Sequence, residues 1–421
     1  MLIGLFALLL FAQAANPSAN QPANQAASPP ANQAASTAEA VQLLRQGLLD
    51  LQANHLEEAR KGLEAASQLE RGNPFVWTSL AETYWRLKNK DQAFSAARQA
   101  AKLAGENTAV AHALAMFYSE AGQFKQAAAF EQRYAANPSA DRQAFARVAA
   151  LYLSAGDPPA ALAAARQAIS LNASPANSNL LGRAAFAAGN KEEGLPRLAD
   201  ACRAEPANEA FCFDYVQALL YAGDFSTASE VIDQSLQLHP SSVQLTLALG
   251  VARYGQRRFE EAGDAFLKTL ALDPTVPQPY EFLGKMLEQL NARLPEITAA
   301  YRAWHQRNPS NAEASLLLAK ALSAAGADAA EIEKLLRSSI ALNDAAWESH
   351  SELGQLLAKR RQFAEAAAEL NKAIQLAPDQ PQPHYHLARV YDRLGEPDKA
   401  KQERDIHARL TANPTGTPAI K

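Results

Sequence analysis

Between Trp347 and Asp379 the apolar positions fall into two helical stripes separated by a polar break. Leu353, Gly354 and Leu357 mark the first stripe. Phe363, Ala366, Ala367, Leu370, Ala373 and Ile374 mark the second, at the spacing of one helix face. The break is the run from Lys359 to Gln362, and Pro378 closes the second helix because it cannot continue the ladder of N–H donors. Each predicted helix has only about three or four turns, too few to be stable unless its stripe is buried against a neighbour. The unit then recurs. Leu387-Ala388 stands about 34 residues after Leu353-Gly354, with Tyr391 in the place of Leu357 and Ala400 in that of Ala366.

The same beat runs back along the chain. Units open at Ala40, Pro74, Thr108, Arg142, Pro175, Glu209, Val243, Pro277, Ala312, Trp347 and Pro381, about 34 residues apart. A Leu-Gly or Leu-Ala pair stands at Leu80, Leu114, Leu181, Leu249, Leu283 and Leu318, and Tyr84, Tyr118, Tyr152 and Tyr391 supply the aromatic that follows. Gly122, Gly156, Gly189, Gly223 and Gly395 fall where a helix end requires a left-handed residue. Pro206, Pro240 and Pro274 close second helices, and Pro158, Pro295 and Pro397 open them, where a missing N–H is tolerated. The departures are Gln46-Gly47 in the first unit, Tyr215-Val216 in the sixth, Pro196 inside the fifth second helix, and one extra residue in the eighth and ninth units. These units are expected to be the least regular. The last second helix is polar, with Arg404 in the place of Leu370, as suits a terminal repeat whose outer face meets water.

This combination of paired Leu and Gly or Ala, aromatic, turn Gly, opening Ala and closing Pro resembles the tetratricopeptide repeat. The resemblance spans residues 40–414. It implies an all-α, right-handed superhelical solenoid of about eleven helix-turn-helix repeats, from a family that usually binds peptides or proteins rather than catalysing reactions. The family lines its concave groove with first-helix residues just before and after the Leu-Gly pair. Carried onto this sequence, those positions hold Leu44, Leu48, Leu51, Trp85, Met116, Leu153, Phe186, Phe213, Leu220, Tyr221, Leu247, Val251 and Tyr254. Further on they hold Glu281, Lys285, Glu288, Lys320, Lys359, Tyr385, Arg389, Asp392 and Arg393, so the groove turns from apolar to charged near residue 277. Trp85, Met116, Phe186, Phe213, Leu220 and Tyr254 are the expected apolar contacts, with Leu153 and Tyr221 beside them, and Arg389 and Arg393 would meet acidic groups of a partner. Two readings of the apolar part stand: a docking groove, or side chains packing on one another under tight curvature. The family's Lys-Asn clamp for a terminal carboxylate is not expected, since Asn179, Lys285 and Lys320 each lack the second member.

Composition narrows the class. The chain has 421 residues, 48% of them hydrophobic and 20% charged, with a net charge of −4, which offers no electrostatic case for nucleic acid. Residues 1–14 read as a secretory signal with cleavage after Ala14, although no Lys or Arg precedes the apolar run; the other reading is an uncleaved apolar tail. Residues 15–39, with PANQAAS twice, read as a disordered linker, and residues 415–421 as a tail. A periplasmic or secreted location follows, with no membrane span after cleavage. Cys202 and Cys212 are either a disulfide or two buried small residues.

No phosphate loop, nucleophile elbow or zinc-protease motif is present, and the eight histidines are scattered, so no catalytic site, metal or cofactor is expected. His350 and His384 occupy equivalent places in adjacent repeats, which the repeat explains. The expected function is a non-catalytic scaffold or adaptor that holds a peptide or protein in the groove. Self-association through stacked ends, or service as an accessory to a separate enzyme such as a glycan-processing one, are the alternatives.

Overall fold

The computed structural model describes residues 31–412, with side chains from residue 38, and these form helices joined by short turns. The expected signal over 1–14, most of the expected linker and the expected tail over 415–421 lie outside the described residues. Among the described residues, twenty-two α-helices pair into eleven hairpins, so the fold is an all-α helical-repeat solenoid. The first helix begins at Ala31, inside the stretch expected to be linker; no Pro follows Pro30 there, and the alanines extend the helix.

The chain divides into two compact units, up to Glu205 and from Pro206. Unit 1 holds α1 (Ala31–Gln52), α2 (Leu56–Leu69), α3 (Pro74–Arg86), α4 (Lys90–Leu103), α5 (Thr108–Glu120), α6 (Phe124–Ala135), α7 (Ala144–Ser154), α8 (Pro158–Leu171), α9 (Pro175–Ala187) and α10 (Lys191–Ala204). Unit 2 holds α11 (Glu209–Ala222), α12 (Phe225–Leu238), α13 (Val243–Gly255), α14 (Phe259–Leu272), α15 (Gln278–Lys285) and α16 (Leu294–Arg307). It continues with α17 (Ala312–Ala324), α18 (Ala329–Leu342), α19 (Trp347–Lys359), α20 (Phe363–Leu376), α21 (Pro381–Leu394) and α22 (Pro397–Ala412). Odd-numbered helices are the first of each hairpin and even-numbered helices the second.

Local chemistry sets each hairpin. Asn73, Asn107, Asn208 and Asn311 cap the first helices of their repeats, accepting hydrogen bonds from N–H groups that have no partner inside the helix. At the turn, the five expected glycines have φ between 70° and 81°. The equivalent slot in four other hairpins is filled by Asn54, Lys88, Arg257 and Arg361 at φ 61° to 66°, each of which costs about 1–2 kcal/mol that glycine avoids. Hairpin closure by the remaining contacts must offset that.

Where the two helices of a hairpin cross, the side chains are small. Ala93, Ala127, Ala161, Ala228, Ala262 and Ala366 are fully buried. In the fifth hairpin the approach is closest: a Cβ on Gly182 would lie 2.9 Å from the backbone nitrogen of Leu198, and one on Gly194 the same distance from that of Phe186. Helix α10 runs unbroken through Pro196, so this hairpin is more regular than its sequence suggests. The irregularity concentrates in the eighth hairpin instead. Helix α15 stops at Lys285, and a turn with a 3-10 segment at Asn291–Arg293 replaces its last part. Met286, Leu287 and Leu290 are thereby turned into the core around Tyr280 and Tyr301.

Histidine ties first helix to second. His112 meets Glu131, His350 meets Glu369 and His384 meets Glu403, with Nδ1 to Oε2 separations of 2.7, 2.6 and 2.5 Å. The Nε2 atoms of His350 and His384 face the carbonyls of Asp344 and Pro378 at 3.2 and 3.1 Å. Neither cysteine is a free thiol; Cys202 and Cys212 are disulfide-bonded. Helix α22 buries only Ala400, as a capping helix should.

Because Ala161 has no room to grow, Ala161→Leu should lower stability by about 1–3 kcal/mol through overpacking. A denaturant midpoint unchanged by this substitution would contradict the crossing geometry.

Candidate functional site

The first helices carry the outward surface on which the expected groove residues lie. In unit 1 that surface is mostly consumed by packing. Leu44, Leu48 and Leu51, expected in the groove, are buried at 8%, 2% and 0% exposure, and Leu44 and Leu48 belong to a core cluster with Leu63 of the first hairpin and Val76 of the second. Trp85 is partly buried and meets Phe94 and Phe117 edge-on, with ring centroids 5.9 and 6.0 Å apart, in a cluster that continues through Tyr118 to Phe130. Leu153 packs against the core around Ala149 and Ala161. Phe186 is partly buried. Met116 is exposed.

Unit 2 divides along its length. Phe213 and Leu220 are partly buried, and Tyr221 is 74% exposed. Leu247, Val251 and Tyr254 pack against the core, Tyr254 meeting Phe282 at 5.2 Å and Phe259 at 5.8 Å. Beyond this the surface of α15, α17, α19 and α21 becomes polar. Arg389 and Arg393 are exposed there, and Arg389 lies over the Tyr385 ring at 5.6 Å. Lys285 lies over Phe282 at 5.4 Å.

Burial and neighbouring charges shift several of these groups. The Glu352 carboxyl is raised above its ordinary range by burial and by Glu348 and Glu288, against the pull of Lys320 and Lys359. Burial, then Glu281 and Glu348, raises Glu313. His386 is pushed down to about 4, chiefly by burial and then by Arg389 and Lys359. Among the described residues, none of Lys285, Lys320, Lys359 and Arg389 forms an ion pair within 4.0 Å. The floor of this surface holds two further polar groups without partners. Ser351, 2% exposed, has no hydrogen-bond partner for Oγ, and the buried Nε2 of Gln355 has none. Glu348, Ser351, Glu352, Gln355 and Lys359 form one stripe along α19, at i, i+3, i+4, i+7 and i+11.

Of these, Glu313, Glu348, Ser351, Glu352, Gln355 and His386 were not among the expected groove residues. Glu352 and His386 sit one before the leading Leu and Glu313 and Glu348 near the helix start, outside the positions carried over, whereas Ser351, two before Leu353, and Gln355, just after Gly354, sit at such positions. A polar residue on the otherwise apolar side of the stripe was the available signal. In unit 1 a polar cleft of about 510 Å³, lined in part by Arg71, Trp77, Arg98 and Lys102, also lay outside the expected surface.

Three segments, residues 76–107, 213–277 and 357–403, match models of the Tetratricopeptide repeat family. With eleven hairpins in that register, the chain is a tetratricopeptide repeat protein. Among solved structures it is similar to yeast Tom70, at 16% identity and a TM-score of 0.36, covering 88% of this chain and 92% of that one. It is also similar to the C-terminal part of a TPR repeat-containing protein from Cytophaga hutchinsonii, at 15% identity and a TM-score of 0.44, covering 65% and 98%. A thermophilic TPR protein of Thermus thermophilus aligns at 21% identity and a TM-score of 0.35, over 41% and 98%. No curated protein matches the chain significantly. Among the described residues, no helix is long and apolar enough to cross a membrane.

The His386 imidazole should titrate with a midpoint of about 4 in NMR spectra. Lys359→Ala should move that midpoint upward, since the mutation removes a cation that disfavours imidazolium. A midpoint near the ordinary 6.5 would show that His386 does not lie in this cluster.

Proposed function

We propose that this protein is a non-catalytic scaffold that holds a peptide or protein segment against the outward face of its first helices. The repeat fold supports the general class, because stacked hairpins present extended surfaces rather than enclosed reaction chambers. The observation that carries the reading is the polar face of unit 2, where charged and buried polar groups stand beside one another without being paired. A stable domain normally satisfies such groups internally, and the unsatisfied ones are the natural contacts of a partner. The apolar part contributes less than the sequence suggests, since Trp85 and Tyr254 are engaged in their own aromatic clusters.

We further infer export to an oxidising compartment. The apolar run and A-x-A site of residues 1–14 support this, and so does the disulfide-bonded state of Cys202 and Cys212, which a reducing cytosol would oppose.

Site-specific photo-crosslinking in cells tests the scaffold. A photoreactive residue at Met116, Tyr221 or Tyr385, all exposed on first helices, should give discrete partner adducts. The same residue at Leu171 or Leu238, exposed on second helices, should not. Equal adducts from both sets would place the partner elsewhere on the surface.

A further inference from the structure

We propose that the cleft between the second helices of the first two hairpins binds a small multivalent anion whose charge sits on phosphate or carboxylate oxygens. The cleft lies off the face assigned to the scaffold, so the inference is independent of that reading.

The cleft measures about 510 Å³ and runs between α2 and α4. That volume is usual for a small-molecule site. Arg71, just past the end of α2, and Arg98 and Lys102, one turn apart on α4, converge on it. Among the described residues no Asp or Glu lines it. All three cations are exposed, and none forms an ion pair within 4.0 Å among the described residues. The acids at the end of α2 are held elsewhere. Glu64 accepts from Arg60 and Tyr84 at 2.9 and 2.7 Å, and Glu70 accepts from Asn73 at 2.8 Å. Trp77, which also lines the cleft, donates its indole N–H to the carbonyl of Arg71 at 3.0 Å and so fixes the backbone there. Half-buried Gln99 adds a neutral amide donor.

The repeat itself does not require this charge. In the third and fourth hairpins the corresponding cleft holds Phe145, Ala163 and Gln167 in the places of Trp77, Ser95 and Gln99, and measures about 210 Å³. Ser139 and Ser170 stand there in the places of Arg71 and Lys102. Arg98 has a counterpart in Arg166, but Glu193 of the next hairpin pairs with Arg166 at 2.5 Å. Glu193 is the third residue of α10, and the third residue of α6 is Gln126, which carries no charge. One cleft is therefore neutralised from within, and the other keeps its cations. Like charges brought together repel, and a bound anion removes that repulsion. Guanidinium groups match the oxygens of phosphate and carboxylate. Because the cations do not recur in the later cleft, the site suits a compact anion rather than a nucleic acid, which needs a longer basic track.

The test is calorimetry on the full chain with inorganic pyrophosphate, citrate and, as a neutral control, glucose. At least one of the anions should bind at a single site per chain, and glucose should not. Arg98→Gln with Lys102→Gln should weaken that binding about tenfold or more, and so should Gln126→Glu, which supplies Arg98 with the kind of partner Arg166 has. Lys334→Gln with Lys372→Gln makes the same change in charge on exposed lysines of unit 2 and should leave binding unchanged. Circular dichroism should show equal helicity in every variant. An equal effect of the two double substitutions, or no binding of either anion, would overturn the proposal. Tighter binding of hexaglutamate would overturn it in favour of an acidic protein segment. Pelleting with phosphatidylglycerol vesicles, without binding of the free anions, would overturn it in favour of a membrane surface.

Discussion

The close crossing of the two helices in each hairpin is the constraint on which this structure depends. A short helix gains little from its own hydrogen bonds, so each must lay its apolar stripe against the next. Most crossing positions hold glycine or alanine, as the fully buried Ala93, Ala161 and Ala366 and the backbone approach at Gly182 show, while the eighth and ninth hairpins hold Ile297 and Ile332 there. Once that contact is fixed, the large side chains are forced to the flanks, where they join one hairpin to the next. The outward face of the first helices is what remains free of this demand.

That division explains how much was legible in the sequence. The period, the hairpins and the capping character of α22 could be read because each repeat solves the same packing problem with the same residue types. The turn slot was only partly legible. Glycine announces a left-handed residue, but Lys88, Arg257 and Arg361 adopt the same conformation with nothing in their chemistry to signal it. Pro196 misled in the opposite direction, since α10 accommodates it without a break. The shortening of α15 was foreshadowed by an extra residue, although the ninth repeat carries one too and remains regular.

The site was less legible than the fold, for a physical reason. Groove positions taken from a repeat pattern are silent about curvature. Leu44 and Leu48 lie buried in a core cluster, and Trp85 is partly buried among Phe94 and Phe117. The polar residues that matter in unit 2, Ser351, Glu352 and Gln355, belong to the same stripe as Glu348 and Lys359; Ser351 and Gln355 stand at positions the pattern marks, and Glu352 falls outside them. Their significance comes from what surrounds them. Glu352 is an ordinary helix-face glutamate in the sequence, and becomes an unusual one only when burial and four neighbouring charges act on it.

Unpaired buried polar groups weaken a fold, and the retention of Ser351 Oγ and Gln355 Nε2 on this face for a partner is the central claim of this account. Replacing Gln355 by Leu tests it most directly, because the side chain keeps its approximate volume and loses the unpartnered amide. Chemical denaturation of the full chain should show a stability gain of about 1 kcal/mol for Gln355→Leu. A loss of stability would mean that the amide serves the fold itself, and the claim that this face is kept polar for a partner would be wrong.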